Sequence, residues 1–210
     1  MNPSKLQLKL FVERNGHHAP AEAFIPVLHR WIKDHVLAEL VIDVANYAHV
    51  PKGPGVVLIG HTGDYYLDDS DGRFGLLYSR KRGPAAAGTL EARLEDLFRR
   101  TLHAASLLEK EALATPGGET RLRFAPNELL FRVNDRLAAP ANDDTFAALR
   151  PALEAMARRL YDGPVELTRV GDARGLFGVK VVGAGQGGDV APPLATLLAR
   201  VGGPPAADLP

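Results

Sequence analysis

A faint internal repeat constrains this chain more than any single motif, because self-similarity at a near-constant offset prescribes architecture before individual residues are weighed. Phe24-Ile25-Pro26-Val27-Leu28 aligns with Leu149-Arg150-Pro151-Ala152-Leu153, Trp31 with Met156, and Leu40-Val41-Ile42 with Val165-Glu166-Leu167, all at an offset of 125. Gly55-Val56-Val57-Leu58-Ile59-Gly60 aligns with Gly178-Val179-Lys180-Val181-Val182-Gly183, and Leu6, Leu8 and Leu10 with Leu129, Phe131 and Val133, at an offset of 123. A two-residue difference in loop length reconciles the two offsets.

The local patterns inside each copy define the units. Lys5 to Glu13 alternates apolar and polar, as a strand with one wet face does. Phe24, Leu28, Trp31 and His35 recur at helical spacing, with Pro26 tolerated in the first turn, so His35 is expected on an apolar face. Leu40 to Val44 reads as a buried strand and Val56 to Ile59 as another; Tyr65 to Leu67 and Phe74 to Tyr78 form a hairpin turned at Asp71-Gly72. Thr89 caps an amphipathic helix from Leu90 to Leu108, and Asn142 to Asp144 cap a second helix running to about Tyr161. Strands near Val165 to Val170 and Leu176 to Val182 complete the second copy, and a short helix near Pro193 to Val201 follows.

The expected fold is α+β: two β-α-β-β units related by a pseudo-twofold, an antiparallel or mixed sheet with helices on one face, and a linking amphipathic helix. The expected divisions are 1–82, the first unit with its hairpin; 83–118, linker and helix; 119–201, the second unit and short helix; and 202–210, a disordered tail.

Composition excludes whole classes of function. Lysine plus arginine equals aspartate plus glutamate at 25 each, so the field that draws a protein onto nucleic acid or an anionic membrane is missing. The absence of cysteine removes disulfides, thiolate metal sites and thiol nucleophiles. No basic segment followed by an apolar run opens the sequence, and no apolar stretch approaches the length of a membrane span, so a cytoplasmic location is expected.

Polar residues crowd into the first unit: Asp43, Asn46, Tyr47, His49, Lys52, His61, Asp64, Tyr65 and Tyr66. Histidine serves as base, proton shuttle or metal ligand near neutral pH, but His49 and His61 flank a loop and a strand and fall too far apart to share a metal. Lys52-Gly53-Pro54-Gly55 offers consecutive backbone amides to an anion, although the phosphate-loop spacing is missing. The expected ligand-binding set is therefore Lys52, Gly53, Gly55, His49, His61, Asp64 and Tyr65, with no cofactor and no metal.

Other motifs dissolve on inspection. Gly183-Ala184-Gly185-Gln186-Gly187-Gly188 matches G-x-G-x-x-G, but the second parallel strand and the acidic residue of a dinucleotide site do not follow. Asp68-Asp69-Ser70-Asp71-Gly72 cannot be a calcium loop, since alignment on Gly72 puts Leu67 and Tyr78 at ligand positions. The adjacent His17 and His18 diverge, Arg80-Lys81-Arg82 is too short for a nucleic-acid footprint, and Gly-x-Ser-x-Gly is absent.

Ile42-Asp43-Val44-Ala45-Asn46-Tyr47-Ala48-His49-Val50-Pro51-Lys52-Gly53-Pro54-Gly55 resembles a family of uncharacterised bacterial proteins, a resemblance that implies no activity, cofactor or partner. Paired β-α-β-β-β modules also resemble the vicinal oxygen chelate enzymes, but the second unit lacks the full hairpin and the halves place no acidic and histidine residues in matching positions. The reading that follows is a non-enzymatic binding or accessory protein, homodimeric, taking a small ligand or a protein partner and neither nucleic acid nor membrane. One alternative is an enzyme at the rim of the first sheet, with His49 or His61 as base, Asp43 or Asp64 orienting it, Tyr47 or Tyr65 as donor and Lys52 holding an anion. A second alternative is an assembly or scaffold subunit presenting an apolar patch.

Overall fold

The structure, a computed structural model, describes residues 1–14, 19–81, 88–115, 118–184 and 191–206, and of residues 114, 115 and 118–120 the backbone alone. His17, His18 and most of the linker and glycine-rich segments singled out above lie outside the described residues.

Among the described residues ten strands form: β1 Leu6–Val12, β2 Val41–Tyr47, β3 Gly55–Gly60, β4 Gly63–Asp68, β5 Gly75–Arg80, β6 Leu113–Thr115, β7 Gly118–Thr120, β8 Phe124–Val133, β9 Val165–Val170 and β10 Phe177–Gly183. The helices are α1 Ile25–Lys33, α2 Leu90–Leu108, α3 Asp143–Tyr161 and α4 Leu194–Arg200, with a 3-10 turn at Ala21–Phe24. Eight strands build one sheet in the order β2-β3-β4-β5-β1-β8-β10-β9, antiparallel at every pairing, and β6 and β7 form a separate ribbon. Short reversals account for the antiparallel pairing; His61 and Thr62 alone join β3 to β4.

Two adjacent interior strands, β1 and β8, carry Leu6, Leu8, Leu10, Leu129, Phe131 and Val133 on the face that meets the helices, all fully buried. Helix α2 lies over β1 and β5 and touches α3 and α4. It buries Leu94, Leu97, Phe98, Leu102 and Leu108, so its apolar stripe completes the core of this chain. Its N-terminus is capped by the Thr89 hydroxyl, which accepts from the Ala92 amide at 3.3 Å, and Asn142 Oδ1 caps α3 by accepting from Thr145 N at 2.9 Å. Helix α3 carries Pro151 in its interior, where the ring withholds the amide that would bond the Ala147 carbonyl.

Three expectations need correction. Strand β1 does not have a wet face, since Gln7, Lys9 and Phe11 are buried alongside the leucines. Strand β2 is not buried: β3 pairs with it on one side only, which makes it a sheet edge with Ile42 58% and Tyr47 45% exposed. His35 leaves the apolar face because α1 stops at Lys33; the histidine sits exposed at φ 49°, in the left-handed region, as the chain turns away.

Leu8 sits in register with both Tyr78 and Phe131 and has no exposed surface. Leu8→Ala is expected to cost about 3 kcal/mol, read as a lower urea midpoint at unchanged slope.

Candidate functional site

Alternation along the strands sends a second set of side chains to the face opposite the helices. One cross-strand row reads Val170-Gly178-Arg132-Gln7-Ser79-Asp64-Ile59-Asp43, and the next Thr168-Lys180-Leu130-Lys9-Leu77-Tyr66-Val57-Ala45. Phe11, Val57, Leu77 and Leu130 of this face are buried yet stand apart from the main core cluster.

A charge network organises the middle of this face. Lys9, with no exposed surface, donates to Asp68 Oδ1 at 2.5 Å and to Asp71 Oδ2 at 3.1 Å. Asp71, on the turn between β4 and β5, also pairs with Arg132 of β8. Arg73, from the same turn, bonds Glu128 at 2.7 Å and the Val12 carbonyl at 2.9 Å, and Lys180 of β10 reaches Glu128 at 3.1 Å. Two cations approach the Phe11 ring, Arg73 at 4.9 Å and Lys9 at 5.6 Å from its centroid. Burial lowers the Lys9 pKa, and the neighbouring Asp68 carboxylate opposes that shift. Burial likewise lowers that of Arg132. Burial works against the charge on Glu128, but hydrogen bonds from Lys180 and Arg73 together outweigh it and hold the carboxyl below its ordinary value.

Beside this network opens a cleft of about 440 Å³, floored by Phe11, Leu130, Val170 and Leu176 and rimmed by Arg132, Lys180, Glu128 and Asp71. Gly178, the second residue of β10, lines it beside Val170 and Arg132; a Cβ there would stand 3.0 Å from Val170 Cγ2, closer than an ordinary contact, and 3.7 Å from Arg132 Cγ. No positive φ requires this glycine, and the Val170 side chain is what approaches the strand closely there. Gly183 is tighter still, because a Cβ there would strike the Tyr161 ring at 2.1 Å.

The residues singled out by sequence fall into two groups at opposite ends of β3, about 16 Å apart at 3.3 Å per residue. At one end Tyr47, Gly53 and Gly55 line a cavity of about 290 Å³ with Glu22, Asp69 and Phe74, while His49 and Lys52 are exposed in the adjoining turn. Lys52 and Gly55 adopt φ 56° and 66°, and a Cβ on Gly55 would meet the Leu67 carbonyl at 2.1 Å, so this is a tight strand-entry turn. At the other end His61 is exposed, Asp64 pairs with Lys81 at 2.7 Å, and Tyr65 points into the core. Asp43 stands on the β2 edge, where its Oδ1 accepts from the Val44 amide at 2.7 Å.

Tyr65 belongs to a network that sequence reasoning missed. Its hydroxyl donates to Glu39 at 2.6 Å; Glu39, buried between α1 and β2, also accepts from Gly63 N at 3.1 Å and from the Thr62 hydroxyl, with Arg100 at 3.5 Å. Every oxygen of this carboxylate has a partner, so it ties α2 to the β3–β4 turn. The open-face charges were missed for a different reason. Lys9, Arg132 and Lys180 were legible as polar interruptions of apolar strands, but only the register aligns them.

No family model, no curated protein and no solved structure matches the chain. Among the described residues no three or more histidine, cysteine, aspartate or glutamate side chains are placed to hold a metal ion, and no helix is long and apolar enough to cross a membrane.

Two outcomes follow from these contacts. Removing the carboxylate that covers the Val44 amide opens an edge donor, so Asp43→Ala is expected to raise concentration-dependent self-association, measured by analytical ultracentrifugation. Burial raises the pKa of Tyr65, Tyr78 and Tyr161 well above the ordinary phenol value and that of Tyr66 to about 12. The unfolded chain sheds these protons near pH 10 while the native protein keeps them. Stability present below about pH 10 is therefore expected to fall as pH rises through about 12, with tyrosinate absorbance appearing in step with unfolding.

Proposed function

We propose that this is a small-molecule binding protein whose ligand lies in the cleft on the open face of the sheet, with an apolar body on Phe11, Leu130 and Leu176 and a polar end at Arg132 and Lys180. The observation that carries the reading is the cleft of about 440 Å³ itself, whose apolar floor stands apart from the main core and meets a rim of charged side chains. An apolar floor with a few convergent charges is the usual composition of a ligand site.

The same reading includes an origin by duplication. With an offset of 123, Leu6, Leu8 and Leu10 correspond to Leu129, Phe131 and Val133, and the β1–β8 ladder pairs Leu6 with Val133, Leu8 with Phe131 and Leu10 with Leu129. A twofold axis through the Leu8–Phe131 pair would produce this register. The β4–β5 hairpin, interposed between β1 and β3, has no counterpart between β8 and β10. The hairpin turn supplies Asp71 and Arg73 to the cleft region, which supports function settling where the halves differ.

Anilinonaphthalene sulfonate, an apolar body with one anionic group, serves as the probe. The native protein is expected to enhance its fluorescence saturably. Gly178→Val should weaken that binding by about tenfold or more by filling the cleft beside Val170 and Arg132, with a lower melting temperature because its Cβ crowds Val170 Cγ2 at 3.0 Å. Undiminished binding by a folded Gly178→Val protein would remove the cleft as the site.

A further inference from the structure

Arg132 is the cleft's most specific polar group, because a guanidinium presents a planar fork matched to a carboxylate. Among the described residues its one ion-pair partner is Asp71, which arrives from the other half of the sheet on the β4–β5 turn. We propose that Asp71 is an internal stand-in for the ligand: the cleft takes a monocarboxylate with an apolar body, whose head group replaces Asp71 on Arg132. This rests on the cleft being the binding site.

Four features support the exchange. Asp71 and Arg132 retain 18% and 20% side-chain exposure, so one carboxylate can replace another at the surface without opening the core. Lys9 does not depend on Asp71, since Asp68 holds it at 2.5 Å, and the buried ammonium stays compensated when Asp71 leaves. The exchange needs only the Asp71 side chain to swing away: the turn stays closed by the Gly72 amide, which donates to the Asp69 carbonyl at 2.7 Å, and Arg73 stays anchored on Glu128 and the Val12 carbonyl. Charge selects the class. A monocarboxylate restores the balance that Asp71 gave, while a phosphate dianion would add a second negative charge beside Glu128.

The test holds the apolar body constant and varies the head: naphthoate, naphthyl phosphate, naphthalenemethanol and naphthylmethylamine, titrated calorimetrically into wild type, Asp71→Asn, Asp71→Ser and Arg132→Gln, each checked for folding by its melting curve. Naphthoate is expected to bind wild type tightest. Either Asp71 variant should tighten naphthoate by about three- to tenfold by removing the competitor and leave the alcohol unchanged. Arg132→Gln should abolish the preference for naphthoate over the alcohol. If the alcohol binds as tightly as naphthoate and both folded Asp71 variants change neither, the stand-in is overturned while the cleft survives as an apolar site. Tighter binding of naphthyl phosphate or of the amine overturns the carboxylate class. If none of the four binds wild type or the Asp71 variants, the cleft itself fails as the site.

Discussion

A lysine ammonium with no contact to water has to be compensated from within, and at Lys9 this requirement shapes half of the molecule. Its position at the centre of β1, between Leu77 and Leu130 in register, leaves no route to solvent. Asp68 must therefore be brought to it, and Asp71 follows on the adjoining β4–β5 turn, which lies against the open face. Removing one partner of such a buried pair typically costs about 3–5 kcal/mol, far more than an exposed turn contributes by itself. Once the turn is there, Asp71 reaches Arg132 and Arg73 reaches Glu128, so one burial constraint fixes the rim of the cleft.

The order of elements was readable because it depends on local rules. The caps at Thr89 and Asn142, the turn at Asp71-Gly72 and the apolar stripe of α2 each follow from a few adjacent residues, and each stands where those rules put it. Sheet order was not local. Nothing within Leu40 to Val44 says that it ends the sheet, because an edge strand is defined by the missing neighbour and an apolar run suits either position. The same limit hid the open face: alternation marked Gln7 and Lys9 as solvent-facing, and only the stagger of eight strands with a turn folded over them makes those positions interior.

The candidate residues show where chemistry-first reading leads astray from packing. Tyrosines, histidines and acids concentrate between Asp43 and Tyr78, and the structure spends them on several separate tasks. Asp43 covers an edge amide, Tyr65 satisfies a buried glutamate, Asp64 pairs with Lys81, and Gly53 and Gly55 let the β2–β3 turn pass close to its neighbours. The cleft draws instead on residues scattered from Phe11 to Lys180, whose signal in one dimension is a single odd charge per strand.

The interposed hairpin has one more consequence. With five strands on one side of the β1–β8 seam and three on the other, most of the cleft lining belongs to the short wing, whereas the Asp71 carboxylate at its rim is delivered from the long one. On the proposed reading, substitutions in the β4–β5 turn of the first half would retune what a cleft built largely by the second half accepts, and neither half by itself would carry the complete recognition rule.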